Sequence, residues 1–117
     1  MAVTLRPSEA LGLWHHAALE LVRHDGPDLT LRQMAILIEI YLVPPPHTVR
    51  GLAAKLGVAK PVITRALDTM GRMGLLARAR DDADRRNVVI RRTVAGALYL
   101  EKIGDVVVNA GRRLEQE

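Results

Sequence analysis

Apolar residues recur at three- and four-residue spacing in five stretches of the chain, the signature of helices with one buried face. Leu11, Trp14, Ala18, Leu21 and Val22 form the first stripe. Pro7-Ser8-Glu9 leads into it, which predicts Ser8 as the N-cap, and His24-Asp25-Gly26-Pro27 breaks it. The second helix opens on the capping-box pair Thr30 and Gln33, with Leu31, Met34, Ile38, Tyr41 and Leu42 as its expected apolar face. It must end before Pro44-Pro45-Pro46, because proline lacks the backbone donor and restricts the residue ahead of it.

A short third helix follows, capped by Thr48, with Val49, Leu52, Ala53 and Leu56 inward and Gly57 suited to the left-handed turn at its end. The fourth begins near Lys60, with Pro61 in its first turn, and ends at Gly74. Ile63, Leu67 and Met70 are its inward positions, which turns Lys60, Pro61, Val62, Thr64, Arg65, Asp68 and Arg72 outward. Two apolar runs, Leu75 to Ala79 and Val88 to Ile90, flank the charged segment from Arg80 to Asn87 and predict a β-hairpin with a long polar tip. Thr93 then caps a last helix running nearly to Glu117. The expected fold class is therefore mainly α with a small β-hairpin wing, a winged helix-turn-helix.

Composition narrows the class further. A chain of 117 residues has room for one core, so residues 1–117 are read as a single domain. With no Phe, one Trp and two Tyr, that core must be aliphatic. The absence of cysteine excludes disulfides and thiolate metal sites. No apolar run approaches the ~18–20 residues that span a bilayer, and the N-terminus lacks the order of a signal peptide, so a cytoplasmic protein without membrane association is expected.

The net charge of +4 is unevenly placed. Between Arg50 and Arg92 there are eleven Lys and Arg against four Asp, whereas the flanks are mildly acidic. A cationic middle of this kind suits a polyanion, and it equally suits a solvated surface with no partner.

The stretch from Thr48 to Leu76 resembles the helix-turn-helix of the multiple-antibiotic-resistance regulator (MarR) family, and Asp84-Arg85-Arg86 followed by Thr93-Val94-Ala95-Gly96 resembles that family's wing signature. The resemblance covers roughly residues 30 to 100. It implies a dimeric winged-helix transcription factor whose recognition helix enters the major groove, whose wing arginine reaches the minor groove, and whose DNA affinity a small-molecule effector tunes. Three features depart from the pattern. Arg92 stands where the family has a buried Leu, Ala59 stands where it has Ser or Thr, and a single C-terminal helix stands where most relatives have more.

Within this frame residues 48–92 form the expected DNA-binding lobe, and helices 8–24 and 94–116 serve the core and dimerisation. Arg65 suits bidentate contact with guanine, Thr64 a base or phosphate, Val62 a thymine methyl, and Lys60, beside Pro61, a phosphate. The bland alternative for Arg65 is an ion pair with Asp68 on the same face. Arg85 and Arg86 point to opposite sides of a strand, so they cannot share one role. The resemblance gives one of them the minor groove and makes Asp84 the acid that fixes the wing. Arg91 and Arg92 are placed to add backbone contacts, and Arg92 equally to pair with an acid.

In the last helix Leu100, Ile103, Val107, Ala110 and Leu114 make a near-heptad stripe, with Gly104 and Gly111 allowing close approach of another helix. A homodimer through the first and last helices fits this, as does packing on the chain's own core. Trp14 and Tyr41 are candidate pocket lining or plain core. His15, His16, His24 and His47 lack metal-ligand spacing, and no nucleophile-base arrangement or phosphate loop is present, so neither an enzyme nor a cofactor is expected. Two functions remain in play: a DNA-binding repressor acting on a palindromic site, and a winged-helix module that partners or antagonises another regulator.

Overall fold

The computed structural model describes residues 3–116. The elements run α1 (Pro7–Arg23), α2 (Leu31–Leu42), α3 (Val49–Leu56), α4 (Lys60–Arg72), β1 (Leu76–Arg80), β2 (Val88–Arg92) and α5 (Val94–Gln116). This is the helical order with a two-stranded wing that the pattern predicts. The chain divides into two compact units, residues 29–99 and the two terminal segments up to 28 and from 100 onward, with α5 passing from one into the other.

In the 29–99 unit the helix ends are set locally. Thr30 Oγ1 accepts from the N–H of Gln33 at 3.1 Å while Gln33 Oε1 accepts from the N–H of Thr30 at 2.8 Å, the reciprocal capping box. Thr48 Oγ1 accepts from Gly51 at 3.0 Å and Thr93 Oγ1 from Gly96 at 3.0 Å. Gly57 and Gly74 sit at φ 69° and 77°, and the N–H groups of Val58 and Leu75 bond back to the carbonyls of Ala53 and Met70. Both helices of the helix-turn-helix therefore close in the same left-handed motif.

The core of this unit is Ile36, Leu37, Ile40, Leu52, Ile63, Leu67, Met70, Leu75, Leu76 and Ile90. The buried stripe of α4 is the expected one. That of α2 is not. Leu31 and Leu42 are 73% and 77% exposed, and Met34, Ile38 and Tyr41 are only half-buried. Nine of the twelve residues of α2 are apolar, so its periodicity does not single out a face; the neighbours choose Ile36, Leu37 and Ile40.

The strands pair antiparallel, with Leu76 opposite Arg92 and Arg80 opposite Val88. Thr48 bridges to Val89, and the N–H of Ile90 donates to the His47 carbonyl at 3.0 Å, which stitches the hairpin to the start of α3. β1 lies one residue later than expected.

In the other unit α1 starts two residues earlier than a cap at Ser8 would place it. Arg6, not Ser8, is the N-cap, because Pro7 already takes the first helical position and Glu9 Oε1 accepts from the N–H of Arg6 at 3.0 Å. Ala17 is buried, whereas Leu11, Trp14 and Val22 are exposed. Only part of the expected stripe is thus used by the chain itself. Ile103 and Ala110 of α5 are buried, Leu100 and Leu114 half-buried, and Val107 and Val108 exposed. Gly12 faces Leu114 and Gly111 faces Leu13, so α1 of the same chain takes up the space at Gly111, while a Cβ at Gly104 would meet open space. Among the described residues no helix is long and apolar enough to cross a membrane.

Candidate nucleic-acid interface

Burial of Ile63, Ala66, Leu67 and Met70 fixes the rotation of α4 and leaves Lys60, Pro61, Thr64, Arg65 and Arg72 exposed. Among the described residues neither Lys60 nor the Arg65 guanidinium has a side-chain partner. Asp68 does not pair with Arg65. It bonds Arg78 of β1 instead, at 2.7 Å, because a strand arginine reaches its carboxylate across the fold. Thr64 Oγ1 donates to the Lys60 carbonyl at 3.2 Å, so its hydroxyl proton is engaged and its oxygen is left to accept. Val62 is half-buried rather than outward, and borders a shallow groove with Thr30, Arg32, Gln33 and Arg65.

Residues directly opposite on paired strands share a face. Leu76, Arg78, Arg80, Val88, Ile90 and Arg92 therefore lie on one side of the hairpin, and Ala77, Ala79, Val89 and Arg91 on the other. All of β1 and Val88 of β2, with Asp68, Gly71 and Arg72 of α4, line a groove of about 660 Å³. It holds three arginines against one aspartate, which makes it a cationic trough beside the outward face of α4. Arg78 and Arg80 were not singled out in the sequence. Their alternation within β1 was the available signal. Arg91 is exposed on the opposite side from Arg78 and Arg80 and does not line this groove.

At the wing tip Asp84 folds the turn. Its Oδ1 accepts from the backbone N–H of Arg86 at 3.1 Å and from Arg86 Nε at 3.2 Å, and its carbonyl accepts from Asn87. The Arg86 guanidinium and backbone N–H hold the Asp84 carboxyl below its ordinary value of 3.8. Asp81 Oδ1 accepts from Ala83, and Arg80 Nη1 donates to the Arg85 carbonyl, so the tip is closed by its own side chains. The two arginines are thereby separated. Arg86 is engaged with Asp84, whereas the Arg85 guanidinium is exposed and unpaired among the described residues.

Arg92 finds no acid. It donates to the carbonyls of Ile40 and Val43, at 2.9 and 3.0 Å, and its guanidinium lies over the Tyr41 ring. Trp14 is 54% exposed and Tyr41 half-buried with its hydroxyl bonded, so neither is plain core. Among the described residues no cluster of three or more His, Cys, Asp or Glu is placed to hold a metal ion.

Residues 29–88, from just before α2 to the start of β2, match the MarR family. No curated protein matches the chain by sequence. Among solved structures, a point mutant of MepR from S. aureus superposes at TM-score 0.77 with 20% identity, covering 97% of this chain and 84% of that one. The S. aureus MepR–DNA complex superposes at TM-score 0.70 with 21% identity over 93% of this chain and 83% of that one. The transcriptional regulator Tm0710 from Thermotoga maritima is 26% identical at TM-score 0.68, over 93% of this chain and 71% of that one.

Proposed function

The chain belongs to the MarR family of winged-helix transcription regulators, and we propose that it binds double-stranded DNA as a homodimer and represses transcription from a palindromic site. The observation that carries this reading is the unpaired Arg65 guanidinium on the exposed face of α4, a helix whose rotation the buried Ile63, Leu67 and Met70 fix. A helix presented this way fits the major groove, with Arg65 bidentate to a guanine and Thr64 accepting from a base amino group. Lys60 and Arg72 hold flanking phosphates, and Arg78 and Arg80 extend the positive surface toward the wing. Arg85 is the wing residue for the minor groove, since Arg86 is already committed to Asp84. That the structurally similar MepR has been crystallised on DNA supports the same use of the fold.

Two such surfaces need a dimer. Leu11, Trp14 and Val22 of α1 and Val107 and Val108 of α5 expose apolar side chains within one unit, surface that a second copy could cover. Gly104, open to solvent, lets a partner helix come close. A two-fold dimer through this unit pairs two recognition helices and so reads a palindrome. Repression is the direct consequence, since a dimer seated on promoter DNA excludes polymerase.

The test is fluorescence-anisotropy titration of labelled genomic duplexes against salt. Specific binding falls steeply with salt, and Arg65→Ala and Arg85→Ala each weaken it. Affinity left unchanged by both substitutions on every fragment would overturn the reading in favour of a protein-interaction module.

A further inference from the structure

The foot of the wing is bonded to the last turn of α2 by a set of polar contacts that DNA binding does not itself require. Arg92, the final residue of β2, donates from Nε to the Ile40 carbonyl at 2.9 Å and from Nη2 to the Val43 carbonyl at 3.0 Å. The last carbonyls of a helix have no intrahelical donor, and a cation there also complements the helix dipole. The guanidinium carbon lies 5.9 Å from the centroid of the Tyr41 ring. The Tyr41 hydroxyl donates to the Leu75 carbonyl at 2.7 Å and accepts from the Thr93 N–H at 2.9 Å. Leu75 precedes β1 and Thr93 follows β2, so both roots of the hairpin meet at one oxygen.

His47 completes the set. Its Nε2 lies 2.8 Å from the Val43 carbonyl, which can only accept, so Nε2 is the donor; its own carbonyl accepts from Ile90 of β2. Val43 thus receives both Arg92 and His47.

We propose that Arg92 is a positioning residue for DNA recognition: by bonding the end of α2 it sets the angle at which the wing leaves its unit, and so where Arg85 lies relative to α4. This rests on the DNA-binding reading above. An apolar side chain at this position would hold the root by packing alone, whereas two directed bonds to a rigid helix fix its orientation. Leverage makes the angle matter. Five strand residues at ~3.3 Å each put the tip roughly 17 Å from the root, so a tilt of about 10° moves it about 3 Å, the difference between reaching a groove and missing it.

The experiment uses the full chain with Arg92→Leu, Arg92→Lys and Arg85→Ala singly and Arg92→Leu combined with Arg85→Ala or Arg65→Ala. Amide hydrogen exchange without DNA reads the latch. Ile90 exchanges roughly tenfold faster in Arg92→Leu while Leu67 of α4 is unchanged, and Arg92→Lys is intermediate. Duplex affinity reads the consequence. Arg92→Leu weakens binding roughly three- to tenfold, and adding Arg85→Ala then costs little more, whereas Arg65→Ala multiplies with it. Unchanged exchange at Ile90, or multiplication of the Arg92→Leu and Arg85→Ala effects, overturns the proposal. If the unaltered chain binds no duplex at any salt concentration, the regulator reading and the DNA half of this proposal fall together, and the exchange comparison still decides the latch.

Discussion

Asp68 of α4 and Arg78 of β1 form a 2.7 Å ion pair across the groove between the exposed helix and the wing. Both side chains are more than a third exposed, so the pair is worth less than about 1 kcal/mol of stability. Its larger effect is on charge, because it places the one carboxylate in a trough otherwise lined by Arg72, Arg78 and Arg80. Asp68→Asn is expected to leave the thermal midpoint within a few degrees and to tighten duplex binding at low salt, steepening the salt slope by about one. Weaker binding by this variant would mean that the geometry the pair imposes outweighs the charge it removes.

The two exposed cations at the start of α4 separate by kind of contact. Arg65→Ala should cost about 1–3 kcal/mol on the preferred duplex and relax selectivity at one base pair. Lys60→Ala should weaken all duplexes alike and lower the salt slope by about one. Selection from randomised duplexes, with affinities measured at several salt concentrations, distinguishes them. Equal loss of selectivity in both variants would contradict the assignment.

The wing tip carries a pH signature. Asp84 is held below 3.8 by Arg86, so its folded value lies under the unfolded one. A depressed carboxylate contributes to folding above its unfolded value and loses that contribution as pH falls through the folded one. Nuclear magnetic resonance titration of the Asp84 carboxyl should show a midpoint below 3.8 that moves up in Arg86→Ala. A midpoint that does not respond to Arg86→Ala would show that the turn backbone alone holds the carboxylate.

Two helical glycines of α5 should respond in opposite ways. A Cβ at Gly96 would overlap the Tyr41 hydroxyl and the Leu75 carbonyl, the second being backbone that cannot swing aside, so Gly96→Ala should lower the thermal midpoint sharply. Gly104→Ala meets open space and gains about 1 kcal/mol of helix propensity in the isolated chain. If a partner helix approaches there, the same change weakens the dimer, which sedimentation velocity at several concentrations would detect. Unaltered self-association would remove Gly104 from the interface.

How much was legible follows from the range over which each interaction acts. Thr30 with Gln33, Thr48 with Gly51, Thr93 with Gly96 and the left-handed Gly57 and Gly74 are contacts or conformations within a few residues, so the order helix, helix, helix-turn-helix, wing, helix could be read directly. The face of α4 was legible as well, because Ile63, Leu67 and Met70 recur at helical spacing among polar neighbours. The roles within Asp84-Arg85-Arg86 were not legible. Strand alternation was expected to separate the two arginines, but both lie in the turn between β1 and β2, and it is the folded tip that engages Arg86 and leaves Arg85 free.

The rest belongs to tertiary structure. Which face of the almost uniformly apolar α2 is buried depends on what packs against it, and an unpartnered stripe on α1 looks the same in sequence whether the chain or a second copy covers it. Asp68 lies three residues from Arg65, yet the fold carries Arg78 to it. The partners of Arg92, the carbonyls of Ile40 and Val43, lie 52 and 49 residues away in sequence. Local hydrogen bonding and hydrophobic period therefore determined the elements of this protein, whereas the charge left free to meet DNA was decided by pairings that exist only after the elements have packed.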